Sequence, residues 1–334
     1  MRDQLCLIFL LIMVACLSIV SLCLGQQWTP VAETLLLPFS EPDSVSAIIT
    51  REIRLPRTAI AVIAGISLGL SGAAMQGLLR NPLASPGLVG SASGAALGAV
   101  VALYFFSQYL HPQFIPLSGM LGALITTMMV YLLAGRDSTV STLILAGVAI
   151  NTLAAALMSL MLNLAPSPFA VQELVLWTLG DIADRSLTDF WTMLPCTLAG
   201  WMMLAGCGRS LDALSLGERT ATSMGVNLTR VTWQVFIAVS LCVGATVATT
   251  GLIGFIGLVI PHLLRPFAHY QPSKLLLLSA IGGSAMMLAA DITVRLISLH
   301  TDINVPLKVG VLTAIVGAPF FLLLILKNRS TYHQ

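Results

Sequence analysis

The chain has 334 residues, of which 57% are hydrophobic and only 9% are charged, and its mean hydropathy is +0.93. Soluble domains carry about 25% charged residues, so this composition excludes a soluble domain and indicates an all-α polytopic membrane protein. The net charge of +2 identifies no partner, because the side of the membrane that each charge faces matters more.

Apolar runs between charges predict ten helices. In chain order they lie near 5–24, 58–79, 88–108, 114–134, 140–163, 190–208, 230–250, 254–265, 274–299 and 307–326. The first run lacks a small-residue cleavage site, so we interpret it as a span rather than a signal peptide. Residues 1–334 are therefore predicted to form a single transmembrane domain.

The eighth helix, near 254–265, is too short to cross a bilayer alone. Gly251, Gly254, Gly257 and Pro261 interrupt its pattern. Irregular backbone at membrane depth is tolerated only where protein shields it from lipid, so we expect a broken element packed inside the protein.

Small residues recur every four positions in the second and third predicted helices. They are Gly65, Gly69, Ala73 and Gly77 in the second and Gly90, Gly94 and Gly98 in the third. Such ladders let helix backbones approach closely in lipid, so we expect both helices to be centrally packed.

The distribution of basic residues predicts the orientation. An even number of helices places both termini on one side, and the positive-inside rule favours cytoplasmic termini. The cytoplasmic set would then hold ten of the sixteen basic residues: Arg2, Arg80, Arg136, Arg209, Arg219, Arg230, Arg265, Lys274, Lys327 and Arg329. The outer set would be Arg51, Arg54, Arg57, Arg185, Arg295 and Lys308.

The connection 209–229 is unusually polar and contains the run LGERTATSMG at 216–225. Ser215 and Glu218 fit a capping box, and Gly225 suits a helix C-terminus, so the pattern predicts a helix of about nine residues and ~13 Å. This helix cannot span a bilayer and is predicted to face the cytoplasm.

The sequence contains no H-E-x-x-H metal motif, no C-x-x-C pair and no nucleotide-binding P-loop. We therefore expect no metal or other cofactor bound by this chain, no enzymatic activity of its own and no nucleic-acid partner. Asp291 lies four residues before Arg295 on one helix face, and we expect these two side chains to pair.

Six stretches together resemble one family of membrane proteins. They are RLPR at 54–57, GISLGLSGAAMQGLLRNPLASPGLVG at 65–90, LGERTATSMG at 216–225, GLIGFIGLVIPHLLR at 251–265, ADITVR at 290–295 and GVLTAIVGAPFF at 310–321. The chain resembles the permease subunits of iron-chelate, haem and cobalamin ABC importers, which are type II importers. The resemblance implies a homodimer of ten-helix subunits in the bacterial inner membrane, with a translocation pathway along the dimer axis. It also implies two cytoplasmic ATPase subunits, which use ATP and Mg, and a periplasmic substrate-binding protein.

The resemblance assigns roles to three groups of residues. The ATPase-coupling segment comprises Leu216, Gly217, Glu218, Arg219, Ala221, Met224 and Gly225. The cytoplasmic gate comprises Asn81, Leu83, Val140 and Ser141, and docking of the binding protein falls to Arg54, Arg57 and Arg295. Local pairing of these arginines, of Arg54 with Glu52 or another outer acid and of Arg295 with Asp291, is the alternative to docking.

The implied function is import of an iron chelate, either haem or a ferric siderophore, from periplasm to cytoplasm. Cobalamin is the alternative substrate, although cobalamin relatives have two hydroxyl residues where this chain has Val140 and Ser141. Lys308 places a cation where many relatives carry a nearby acid. An ion-coupled secondary transporter is the alternative from another class, because discontinuous helices such as 254–265 also occur there.

Overall fold

The computed structural model describes residues 2–25, 29–31, 34, 44–106, 114–135, 140–165, 167–300 and 307–331. Within these ranges the chain forms helices joined by loops and contains no β-strand. The helices are α1 (Arg2–Cys23), α2 (Val45–Leu78), α3 (Ser91–Val101), α4 (Phe114–Ala134), α5 (Val140–Asn163), α6 (Pro168–Thr178), α7 (Leu187–Gly206), α8 (Gly208–Ser215), α9 (Glu218–Ser223), α10 (Leu228–Thr250), α11 (Ile256–Leu264), α12 (Pro272–His300) and α13 (Val309–Thr331). A π-helical turn, Thr50–Arg54, lies within α2, and a 3-10 helix, Pro86–Val89, precedes α3.

All ten predicted segments coincide with helices, which confirms the all-α polytopic architecture. Six helices, α1, α2, α4, α5, α10 and α12, are long and apolar enough to cross a membrane. A seventh crossing is formed if α7 and α8, which meet at 45°, count as one span. The described parts of α3 and α13 are apolar but shorter, so a count of ten crossings stays a prediction.

Ion pairs and hydrogen bonds between helices show in which direction the long helices run. We call one end of the bundle the α9 end and the other the α6 end, after the short helices found there. At the α9 end, Asp3 of α1 pairs with Lys274 of α12 at 2.9 Å. At the α6 end, Arg295 of α12 donates to the Ser21 carbonyl of α1 at 2.8 Å. Helices α1 and α12 are therefore parallel, and α2 runs antiparallel to them from the α6 end to the α9 end.

Four of the predicted ladder glycines, Gly65, Gly69, Gly94 and Gly98, lie where helix backbones touch, whereas Gly77 meets only side chains and Gly90 precedes α3 in a left-handed conformation. A Cβ atom added at Gly69 would lie 2.0 Å from the Ser279 carbonyl oxygen of α12, and one at Gly98 would lie 2.3 Å from the Ser118 carbonyl oxygen of α4. Any larger side chain would push these helices apart. Both helices are largely buried, so the predicted central packing of α2 and α3 is confirmed.

The predicted broken element is also confirmed. Helix α10 gives way to irregular backbone at Gly251, with φ +73°, and this backbone continues to Phe255, with φ +66°. Helix α11 follows with only nine residues, and most of them are buried. A Cβ at Gly72 of α2 would lie 1.8 Å from the Gly257 carbonyl oxygen, so α11 packs directly against the centre of the bundle.

Candidate functional site

The polar connection 209–229 folds as two short helices instead of one, which corrects the sequence prediction. Ser215 ends α8, and its hydroxyl donates to the Asp212 carbonyl at 2.6 Å instead of capping the next helix. Gly217 separates the helices with φ +109°, and α9 then runs for six residues from Glu218. The predicted capping box is therefore wrong, because the backbone at Gly217 breaks the helix that the box would need. Gly225 has φ +85° just after α9, as its C-terminal role requires.

Helix α9 is held on one side and exposed on the others. Ala221 is fully buried, and Glu218 forms an ion pair with Arg80 at 2.7 Å. Leu216 and Met224, which flank the helix, are 64% and 61% exposed, and Arg219 is also exposed. Large apolar side chains that are exposed on both sides of so short a helix suit contact with another protein better than contact with water.

The gate residues Asn81 and Leu83 follow directly from the residue that pairs with Glu218. Arg80 has the left-handed φ of +49°, and the Asn81 amide donates to the Gln76 carbonyl at 3.2 Å, which ends α2. The Asn81 side chain then accepts from the Leu83 amide at 2.9 Å, so the chain turns sharply. We call residues 80–90 the gate segment.

Hydroxyl side chains of α4, supported by one from α10, hold the far part of the gate segment, a feature that the sequence interpretation missed. Thr126 of α4 donates to the Gly90 carbonyl at 2.9 Å, and Thr127 donates to the Val89 carbonyl at 3.2 Å. Ser240 of α10 donates to the Thr127 hydroxyl at 2.7 Å. These bonds fix the end of the gate segment that contains the 3-10 helix. The other end of the segment, at Asn81, follows directly from the C-terminus of α2.

Helix α5 contacts the same 3-10 helix. Asn151 donates to the Gly87 carbonyl at 2.9 Å, and a Cβ at Gly147 would lie 1.8 Å from the Leu88 carbonyl oxygen. Ser141 is exposed at the start of α5, and the side chain of Val140 lies outside the described residues. The described contacts thus connect α5 to the gate segment through Gly87 and Leu88. A gate role for Val140 and Ser141 stays a prediction.

At the α6 end, three side chains form a buried charge cluster. Arg57 donates from Nε and Nη2 to Asp291 at 2.9 and 2.7 Å, and Arg295 pairs with the other oxygen of the same carboxylate. The Asp291–Arg295 pair was predicted and is confirmed. The participation of Arg57 was missed, since it joins residues 234 positions apart.

Arg54 and Arg295 bind the C-terminus of α1. Arg54 donates to the carbonyls of Leu22 and Cys23 at 2.9 and 3.2 Å, and Arg295 donates to those of Ser21 and Leu24 at 2.8 and 3.3 Å. The last carbonyls of a helix lack intrahelical partners and attract cations, so the two guanidinium groups cap α1.

This burial constrains the docking hypothesis for the three arginines. Arg54 is only 7% exposed, and Glu52 pairs with Arg51 rather than with Arg54. The Arg57 side chain remains the most exposed of the three predicted docking arginines that the structure describes. Docking stays a prediction. An acidic side chain of a partner would have to bind guanidinium groups that already form bonds within this chain.

Lys308 also lies at the α6 end, in an ion pair with Asp181 at 2.7 Å. Backbone contacts surround this pair: the Gly310 amide donates to the Gly180 carbonyl at 2.9 Å, and the Asp181 amide donates to the Thr250 carbonyl at 2.7 Å. The pair therefore joins the α6–α7 loop to the start of α13, beside the irregular backbone that follows α10.

Comparison with known proteins agrees with this architecture. Residues 10–327 match the FecCD transport family. The vitamin B12 import system permease protein BtuC of Vibrio cholerae is 35% identical over 303 residues, which cover 90% of this chain and 89% of that protein. BtuC of Klebsiella pneumoniae is 35% identical over 312 residues, covering 93% and 90% of the two chains.

A solved structure also matches nearly the whole chain. It is a metal-chelate type ABC transporter in an inward-facing conformation, with a TM-score of 0.83, 30% identity, and coverage of 96% of this chain and 98% of that chain. These matches remove the secondary-transporter alternative. The chain belongs to the FecCD transport family and is the permease subunit of a type II ABC importer.

Proposed function

We propose that the chain works as a homodimer of ten-helix subunits in the bacterial inner membrane, with both termini and the α9 end in the cytoplasm. Two ATPase subunits would bind at that end, and a periplasmic binding protein would deliver the substrate to the α6 end. ATP and Mg would be bound by the ATPase subunits only. The observation that carries the proposal is the exposure of Leu216 and Met224 on either side of α9, while Ala221 within α9 is buried in the bundle.

The other four of the ten crossings would be α3, α7, α13, and α11 together with the irregular backbone that precedes it. Cysteine substitution tests the orientation. In whole cells, Thr220→Cys should react with an impermeant maleimide only after the cytoplasmic side is opened, and Leu55→Cys should react from outside. Both positions are exposed, so burial does not confound the comparison. Reaction of both from one side would contradict the ten-helix topology.

The exposed surface of α5 supports a pathway along a dimer axis. From residue 149 onward, one face of α5 exposes small and hydroxyl side chains, whereas the neighbouring face exposes leucines. The first face contains Ala149, Thr152, Ala155, Ala156 and Ser159, and the second contains Leu153, Leu157 and Leu160. Nearer the start of α5, Leu145 and Val148 are exposed on the first face. Leucines suit lipid, while hydroxyl groups suit a partly hydrated pathway. We propose that the first face lines the pathway between two copies of the chain.

For the substrate, we propose an iron chelate, either haem or a ferric siderophore. The metal-chelate description of the related structure and the apolar Val140 at the predicted gate favour this choice. Cobalamin is the second candidate, because both BtuC relatives are described as vitamin B12 permeases. Competition distinguishes the two: with the complex in liposomes, excess unlabelled haem should block uptake of labelled haem, and excess cyanocobalamin should leave it unchanged.

The ABC mechanism is tested on the purified complex. ATPase subunits should co-purify with this chain. Uptake into liposomes should require ATP on the side of the membrane that the α9 end faces, and ATP on the other side should have no effect. Uptake should survive collapse of the proton gradient by an ionophore while ATP remains. Uptake that is abolished by the ionophore at constant ATP would contradict the proposal.

A test of docking by the outer arginines needs a substitution that does not place a second acidic side chain beside Asp291. Arg57→Gln keeps the Asp291–Arg295 pair, whereas Arg57→Glu would oppose Asp291 directly. Since rim charges mainly steer encounter, Arg57→Gln should slow association of the binding protein and weaken its response to salt. Arg51→Gln, which removes an exposed charge nearby, is the matched control. Equal association rates for both variants would mean that Arg57 only stabilises the fold and takes no part in docking.

A further inference from the structure

We infer that the Arg80–Glu218 ion pair is the link through which movement of α9 reaches the gate segment, and that Arg80 is a positioning residue for gating. This inference rests on the proposed function, in which α9 receives the movement of the ATPase. The pair joins Nη2 of Arg80 to Oε1 of Glu218 at 2.7 Å. It connects the first residue of α9 to the first residue of the gate segment.

Helix α8 is fixed to the bundle, so it does not provide a comparable moving link. Asp212 of α8 accepts from the Ser273 amide at 2.8 Å and from the Gln271 side chain at 3.1 Å, which caps the N-terminus of α12. Leu211 and Leu214 of α8 are buried. Helix α8 therefore moves with α12, and relative movement is concentrated at Gly217, between α8 and α9.

Gly217 is built to allow that movement. Its φ of +109° suits glycine alone, and an added Cβ would find its nearest neighbour 4.0 Å away, so the space around it is open. Helix α9 is too short to be stable by itself and depends on tertiary contacts. Those contacts are Ala221 on the buried side and the ion pair of Glu218.

Arg80 stands at a second bending point. Helix α2 is held firmly by its glycine contacts with α11 and α12, so a pull on the Arg80 side chain cannot easily displace it. Arg80 itself has φ +49°, an uncommon conformation for a side chain of this size, and Asn81 follows it immediately. The displacement is therefore passed to Asn81 and Leu83, while hydroxyl groups hold the segment at Val89 and Gly90.

The exposure of the pair makes the inference testable. The two side chains are 41% and 56% exposed, so losing their attraction should not unfold the subunit. A structural role and a coupling role then predict different results. The Asp3–Lys274 pair lies at the same end with a similar distance, but it joins α1 to α12 and leaves α9 untouched, so it is a matched control.

The experiment uses the complete complex with its ATPase subunits in detergent or nanodiscs. The permease carries Leu83→Cys, and reaction of that position with a maleimide is followed by mass spectrometry of its peptide, with and without ATP, Mg and vanadate. This readout needs no transported substrate and leaves the native cysteines in place. In the otherwise unchanged complex, nucleotide should alter the labelling rate at position 83.

Arg80→Glu should reduce this nucleotide-dependent change at least about fivefold, while ATPase subunits still co-purify. The double exchange Arg80→Glu with Glu218→Arg should restore most of it, Arg80→Lys should retain part, and Lys274→Glu should leave it intact. An unchanged response in Arg80→Glu, or a loss that the double exchange fails to restore, would overturn the inference. If ATPase subunits never co-purify, or nucleotide has no effect without any substitution at position 80, the proposed function itself has failed.

Discussion

The two ends of the bundle use charged residues in opposite ways. At the α6 end, Asp291 is fully buried and its partners Arg57 and Arg295 are largely buried, and each of the three makes several bonds. At the α9 end, Arg80 and Glu218 meet in one half-exposed pair. Removing one partner of a buried pair costs about 3–5 kcal/mol, whereas an exposed pair contributes about 0–1 kcal/mol. The charge cluster at the α6 end is therefore built to stay in place, whereas α9 at the other end can rearrange at little cost.

The largest effect is expected for Asp291→Asn. It leaves the guanidinium groups of Arg57 and Arg295 buried without their carboxylate, so stability should fall by about 3–5 kcal/mol. Thermal unfolding of the detergent-purified subunit should shift down by at least ~6 °C. Glu52→Gln, at the same end but in an exposed pair, should shift it far less. Equal shifts for the two variants would remove the contrast between buried and exposed charges.

A smaller but local effect is expected for Ala221→Pro at the α9 end. Proline removes the hydrogen bond from the residue 221 amide to the Gly217 carbonyl, which is 2.9 Å long, and costs about 3 kcal/mol within a helix. Uptake should be abolished while the amount of subunit in the membrane stays normal. Thr222→Ala, on the exposed side of α9, should transport normally. Normal uptake in the proline variant would show that α9 is only a connection.

Lys308→Met should have an intermediate effect on stability. It retains the apolar stem but leaves Asp181 without its cation, at an expected cost of about 1.5–3 kcal/mol. The double variant with Asp181→Asn should be less destabilised than the sum of the two single variants, because both remove the same interaction. Thermal unfolding of the four proteins measures this. Strict additivity would mean that the pair contributes nothing to the α6 end.

The smallest effect is expected for Lys274→Ala. Its pair with Asp3 is partly exposed at the α9 end, so the loss should be about 0–1 kcal/mol and should shrink further as salt is added. Thermal unfolding at low and high ionic strength measures both quantities. A loss as large as that of Asp291→Asn would show that the α9 end is held as firmly as the other end.

Elements that depend on local pattern were predictable from the sequence. The apolar runs predicted segments that coincide with helices, the four-residue spacing of glycine predicted the close contacts of α2 and α3, and the spacing of Asp291 and Arg295 predicted their pair. Two helices were missed although signals existed. Ser167 followed by Pro168 is a helix start signal for α6, and Leu211 with Leu214 gives α8 an apolar side.

Features that depend on distant contacts were not predictable. The capping box at Ser215 fitted the local sequence, but Ser215 ends α8, a helix that Asp212 joins to the distant α12, and Gly217 breaks the chain after it. The partners of Arg54, Arg57 and Glu218 come from elsewhere in the chain, and a single sequence does not reveal them.

The partner of Arg57 also has a consequence for biosynthesis. Asp291 is made 234 residues after Arg57. At about 5–20 residues per second, the ribosome needs roughly 12–47 s to supply it. During that time the first two spans stand in the membrane without the carboxylate that will neutralise this arginine. The N-terminal half of the subunit therefore completes its assembly only after α12 has been inserted, and a chain truncated before Asp291 should be recognised as unfinished by membrane proteases.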